Sequence, residues 1–334
     1  MFSARLAAMQ PLIAWLADLT DATVVMCMRA DGVYFQMLGM ARTTMLDVAL
    51  PRESCTEWQA APDEQLHKLP LGALKVVAAN AGGATTLRIR LPSERHPDHF
   101  VVETCLPTGA MMVQARVNAL ELGEDTWVST DGQQWWPQLS ACMCTQEMRL
   151  FVTQARTFGL TAVRIAALDA ATLEPPVAGA DMPSVLELHS QSTGSSHVSE
   201  HRMLFTNAAA DDAVEPDAEP ADADGKRKRG DTDAARKRLA QARRLPNSVR
   251  DLRVFGDPAA LQPLSFTVKI LDRLLVCASF CPTVDVALIG DADPAAGRND
   301  EQTRMLRMRF NVDADARIRM SAYVAPSIVM EGDE

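Results

Sequence analysis

The sequence predicts an α+β protein built from two similar halves, each with two helices and many strands. Three observations carry this. The order strand, amphipathic helix, strand at the start of the chain recurs near residue 138. In each half a second short helical pattern is followed by alternating strands. The 334 residues are 47% hydrophobic, enough for ordinary cores and too much for a chain disordered throughout.

In the first half, residues 1–120, "FSARLAA" reads as a strand and "QPLIAWLADLTD" as an amphipathic helix. "ATVVMCMRA" reads as a strand that turns through "DG" into "VYFQML". The second helix is "LGALKVVAANAG", near 71–82, and "TTLRIRL" alternates after it as a strand. Residues 121–137, "ELGEDTWVSTDGQQWWP", form a polar connector studded with Trp. The second half, 138–334, repeats strand ("QLSACMC"), helix ("QEMRLFVTQARTFG") and strand ("TAVRIAAL"), then a helix ("KILDRLLVCAS", near 269–279) and a strand ("VDVALIG").

Between about 195 and 246 the composition changes to Ala, Asp, Pro and Arg with almost no large apolar residue, so this segment reads as a disordered charged insert with no core of its own. Residues 211–246 hold nine acidic and nine basic residues, which leaves the whole formal charge of -10 to the flanking parts. Such an acidic chain is repelled by nucleic acid unless positive charge is gathered on one surface.

Several classes of chemistry are unsupported. Seven scattered cysteines fit a reducing compartment better than a disulfide framework. "CMC", "CASFC" and "HPDH" lack a second Cys/His pair at zinc-finger spacing, so no metal site and no cofactor is expected. No P-loop, GxSxG or HExxH motif is present, so no catalytic residue is assigned and the chain does not read as an enzyme. No window reaches eighteen uninterrupted apolar residues, and "MFSARLAAMQ" lacks the features of a secretory signal; an intracellular protein with no membrane partner is expected.

"MFSARL", "DGVYFQML", "LELHSQS", "LSFTVKILDRLL" and "AYVAPSI" fall in an order and spacing that resembles the proliferating cell nuclear antigen family, the eukaryotic DNA sliding clamps. The resemblance covers nearly the whole chain apart from the insert. It implies a DNA clamp fold: two similar domains, antiparallel sheets outside, two helices per domain lining the inner face, and three subunits closing a ring around duplex DNA. It also implies a processivity factor that tethers DNA polymerase and other replication and repair enzymes, is placed by a clamp loader, and works in the nucleus or in a viral replication compartment. Two other readings stay open: a monomeric or heteromeric clamp-like processivity factor, and a clamp-derived scaffold that does not encircle DNA.

The helices supply candidate DNA contacts. Met148, Phe151, Ala155 and Phe158 recur at helical spacing as a buried stripe, with Arg149 and Arg156, seven residues apart, on the other side within about 20° of each other. Ile270, Leu271, Leu274 and Leu275 form a second stripe, opposite Lys269 and Arg273, and Lys75 stands at the solvent edge of its helix. The resemblance adds Arg5. Arg116, Arg88 and Arg90 are further candidates; alternation puts Arg88 and Arg90 on one strand face without saying which. Such cations meet phosphates without reading sequence. The first helix departs from the family, with Asp18 and Asp21 and no Lys or Arg.

The resemblance further implies a groove for a short partner peptide, formed by Leu38, Arg42, Thr43 and Met45, by Trp127 and Val128 of the connector, and by Met305, Leu306, Tyr323, Ala325, Pro326 and Ile328. Aliphatic and aromatic side chains of this kind anchor interfaces, although Leu38, Met45 and Leu306 also read as plain core. In the insert, Lys226, Arg227, Lys228 and Arg229 with Arg236, Lys237 and Arg238 have the spacing of a nuclear import signal. A salt-sensitive DNA contact, or solubility alone, are the other uses open to this run.

Overall fold

A computed structural model of the chain describes residues 1–19, 23–39, 43–59, 64–92, 98–123, 135–169, 184–191, 200–207, 248–255, 261, 263–291, 304–313 and 318–327. The first half runs β1 (Phe2–Arg5), α1 (Leu6–Leu19), β2 (Thr23–Arg29), β3 (Gly32–Gly39), β4 (Thr44–Pro51), β5 (Cys55–Trp58), β6 (Gln65–Pro70), α2 (Leu71–Ala79), β7 (Thr86–Arg90), β8 (His99–Cys105) and β9 (Met111–Asn118). The second runs β10 (Trp136–Cys144), α3 (Thr145–Thr157), β11 (Ala162–Asp169), β12 (Ser184–Gln191), β13 (Glu200–Asn207), β14 (Ser248–Val254), β15 (Leu264–Thr267), α4 (Val268–Leu274), β16 (Thr283–Gly290), β17 (Arg304–Asp313) and β18 (Ile318–Val324). A 3-10 turn, Leu275–Ser279, continues α4.

The helices form where apolar residues recur at helical spacing. α1 starts earlier than its sequence pattern implies: the strand ends at Arg5, and Leu6, Met9, Ile13 and Leu16 already belong to the helix's buried side. Pro11 lies inside this helix at a cost of about 3 kcal/mol, offset by the eight side chains that α1 buries. α3 buries Met148, Phe151, Val152 and Ala155, while Phe158 is only half-buried. α4 and its 3-10 turn bury Ile270, Leu271, Leu274 and Leu275.

Pairing in the first half follows two patterns. β1 pairs with β5 and β7, β7 with β8, and β8 with β9. β2 pairs with β3 and β6, and β3 with β4. The second half repeats them: β10 with β14 and β16, β16 with β17, β17 with β18; β11 with β12 and β15, β12 with β13. All of these pairs are antiparallel. Two further pairings, β18 with β4 (antiparallel) and a short parallel contact of β13 with β14, fuse most strands into one sheet of thirteen that crosses between the halves. β5, β1, β7, β8 and β9 make a separate five-stranded sheet.

The helices pack on the sheets' buried faces. Trp15 of α1 meets Phe280 and Phe310 edge-to-face at 6.5 and 6.3 Å, so the first helix is keyed into the core of the second half. Two sequence boundaries move. Residues 200–207, inside the expected insert, form β13, because alternation in "EHRMLFTN" sends Phe205 into the core. The connector ends before Trp136, where β10 begins.

Candidate functional site

α1 packs on α2, α3 packs on α4, and α1 also touches the turn continuing α4, so the helices form one layer in the order α2, α1, α4, α3. The helices carry Lys75, Arg149, Arg156, Lys269 and Arg273 against Asp18 and the half-buried Glu147 and Asp272. The charge is unevenly shared. Lys75 Nζ lies 2.6 Å from Asp18 Oδ1, which leaves α1 and α2 neutral as a pair. Arg156 Nη1 donates to Asp272 Oδ2 across α3 and α4. Lys269 and Arg273 are exposed with no carboxylate partner among the described residues, and Arg149 is half-buried. The second pair of helices therefore keeps a surplus of two positive charges. Arg5, exposed at the end of β1, shares by alternation the face of Ser3 and does not stand with the helix cations.

Arg116 does not join this set. Phe2, Ala4, Leu87, Ile89, Phe100, Val102 and Val117 point to the helices, so the alternate residues Ser3, Arg88, Arg90, Glu103, Gln114 and Arg116 face the opposite way. On that outer face Glu103 is a buried carboxylate held by Arg88 Nη1 at 3.2 Å, Arg90 Nη2 at 3.1 Å and Gln114 Nε2 at 2.9 Å. Burial opposes its charge, yet the Gln114, Arg88 and Arg90 contacts outweigh that and hold its pKa below the usual carboxylate value. Glu187 on β12 is clasped likewise by Arg164 and Arg202.

The outer face of the thirteen-stranded sheet carries the candidate groove. Leu38, Met45, Tyr323 and Arg307 stand opposite one another on β3, β4, β18 and β17. Leu38 is 37% exposed, which argues against plain core, while Met45 and Tyr323 are half-buried. Met305 shares the face of Arg307 and is half-buried. Ala325 N donates to Thr43 O at 2.9 Å, fixing the chain beyond β18 beside the start of β4, with Pro326 next to it. Burial, and then nearby Asp47, raise the pKa of the Tyr323 phenol. Leu306 is a correction: fully buried on the core side of β17, it cannot line the groove. Arg42, Trp127, Val128 and Ile328 lie outside the described residues, as do Lys226, Arg227, Lys228, Arg229, Arg236, Lys237 and Arg238.

Sequence reasoning missed the two buried glutamates and the cross-helix ion pairs, because each depends on contacts between residues far apart in the chain. Among the described residues no group of three or more His, Cys, Asp or Glu side chains is placed to hold a metal, and no helix is long and apolar enough to cross a membrane. No protein-family model and no curated protein matches the chain.

Proposed function

We propose that the chain is a subunit of a ring that encircles duplex DNA. More particularly, it is a DNA sliding clamp of the proliferating cell nuclear antigen type, in which 1–120 and 138–334 are the two similar domains. Three copies close the ring, the helical layer faces the duplex, and polymerases and other enzymes dock on the outer groove around Leu38, Met45 and Tyr323. Such a protein acts by topology and not by catalysis. A nuclear site, or a viral replication compartment, and delivery by a clamp loader belong to the same reading.

The observation that carries this reading is a repeated pairing pattern with one junction left open. β18 pairs with β4 inside the chain. Their counterparts in the repeat are β9 and β13; among the described residues β9 stands at a sheet edge, while β13 meets β14 at Thr206 and Asn207. Exposed edges attract another strand unless blunted. Carrying the β18·β4 register over to β9 and β13 sets Arg116 opposite Glu200, Gln114 opposite Arg202, and Met112 opposite Leu204 of the next copy. Opposite charges meet, and Met112, 43% exposed in the single chain, finds an apolar neighbour. A head-to-tail contact of this kind closes into a ring when its rotation permits.

Light scattering tests it. The wild-type chain is expected at three times the chain mass, Arg116→Glu at a lower mass, and Arg116→Glu with Glu200→Arg again at three times. A wild-type chain that stays single at micromolar concentration, or an assembly indifferent to Arg116→Glu, contradicts this seam.

A further inference from the structure

Next to the groove, the outer face holds a cavity of about 240 Å³ lined by Arg29, Tyr34, Gln36, Asp47, Arg309 and Arg319. The sequence dictates its shape. The cross-strand rows place the small residues Ser321 and Ala49 outward on β18 and β4, between Arg309 and Arg319 on one side and Tyr34 and Gln36 on the other. Short side chains between long ones leave a depression.

Its charges are only partly compensated. Arg29 lies 3.5 Å from Glu64 and sits over the Tyr34 ring at 5.2 Å. Tyr34 donates to Asp31 at 2.7 Å, and Gln36 Nε2 donates to Asp47 at 2.9 Å. Arg309 and Arg319 are exposed and have no carboxylate partner among the described residues, although Asp285 stands across from Arg309 on β16. Arg307 adds a third guanidinium one outward position from Arg309, and burial together with Arg309 lowers its pKa. In a chain of formal charge -10, a concave site lined by Arg29, Arg309 and Arg319 against the single carboxylate of Asp47 is locally positive, which favours an anion.

We infer that this cavity binds an acidic side chain of an extended partner peptide, with its carboxylate on Arg309 and Arg319. The inference deepens the docking reading and rests on it for where the partner lies. The row Leu38, Met45, Tyr323 is followed, two residues along the same strands, by Gln36, Asp47 and Ser321, a step of about 7 Å. A peptide anchored on the apolar row thus brings a residue two to three positions from its anchor over the cavity. Asp47 selects the source of the anion: its carboxylate accepts a hydrogen bond from a peptide N–H and repels the multiple charge of a phosphate group.

The chain has two tyrosines, one beside each surface, so fluorotyrosine NMR reads both independently. Full-length protein carrying 3-fluorotyrosine is titrated with a blocked tetraglutamate peptide, with its glutamine analogue, and with inorganic phosphate. Tetraglutamate is expected to shift the Tyr34 signal in a saturable way. The glutamine analogue should leave that signal in place, and Arg309→Gln with Arg319→Gln should weaken the response about tenfold or more. A Tyr34 signal unmoved by tetraglutamate at millimolar concentration overturns the inference, and so does an equal or stronger response to phosphate. A separate titration with an apolar, aromatic peptide reads Tyr323. Silence there alone counts against the groove and leaves the cavity result standing.

Discussion

Lys269 and Arg273 are the cations of α4 with no carboxylate partner among the described residues, whereas Arg156 is held by Asp272 and Lys75 by Asp18. Replacing both by glutamine therefore removes the charge most free to meet a phosphate. Each phosphate neutralised contributes about 0.9 to the slope of log K against log salt concentration. Losing two contacts on one subunit that touches the duplex lowers that slope by about 1.8, so the affinity lost between about 50 and 200 mM salt shrinks about twelvefold. The converse variant, Asp18→Asn, frees Lys75 and should steepen the slope by about 0.9, with about 0–1 kcal/mol of stability lost from an exposed pair. The assay is fluorescence anisotropy of a short labelled duplex across a salt series, with Arg319→Gln on the outer face as the control that leaves the slope alone. An unchanged slope in the Lys269, Arg273 double variant refutes the assignment of the helical layer to DNA.

Glu103→Ala strands the guanidinium groups of Arg88 and Arg90 and should cost about 2–3 kcal/mol, read as a fall in Tm; the figure sits at the low end because Arg88 keeps Glu57. Because the folded-state pKa of Glu103 is lowered, its contribution is complete above the unfolded pKa of about 4.3 and is lost as pH falls through the folded value, so acid unfolding of Glu103→Gln should be shallower. Burial, with Glu53 nearby, pushes the Cys55 thiol up to about 11. Its alkylation should be slow at pH 8 and quicken about tenfold per pH unit until near that value, and a fast plateau at neutral pH contradicts this. Gly32→Ala puts a Cβ 2.7 Å from the Leu50 carbonyl oxygen, and should destabilise the β3–β4 pairing by about 1–3 kcal/mol in denaturant unfolding.

Much of the fold was legible because periodicity reports burial. Met148, Phe151 and Ala155 are buried as their spacing predicts, with Arg156 exposed on the other side, and Lys269 and Arg273 stand opposite Ile270, Leu271 and Leu274. Alternation fixes that neighbouring strand residues face apart, but it does not name the core side, so the face of Arg88 and Arg90, and with it that of Arg116 away from the helices, is settled only by which residues are buried. Leu306 failed differently. Between Met305 and Arg307, and with Met308 and Phe310 in step, its own alternation marks it as core, a signal outweighed by the resemblance. The neutrality of the first helical pair was half visible in Asp18, but its ion pair with Lys75 joins positions 57 residues apart that only the packing of α1 on α2 brings together. The start of α1 was hidden by Pro11, whose presence near a helix start ordinarily marks the first turn.

Encirclement itself is tested most directly by trapping on DNA whose ends can be closed. The protein is incubated with linear duplex biotinylated at both ends, streptavidin is added, and bound protein is measured after a high-salt wash that removes phosphate contacts. A ring is retained on the capped duplex and slides off the uncapped one. Equal loss from both contradicts a closed ring, whatever the affinity at low salt.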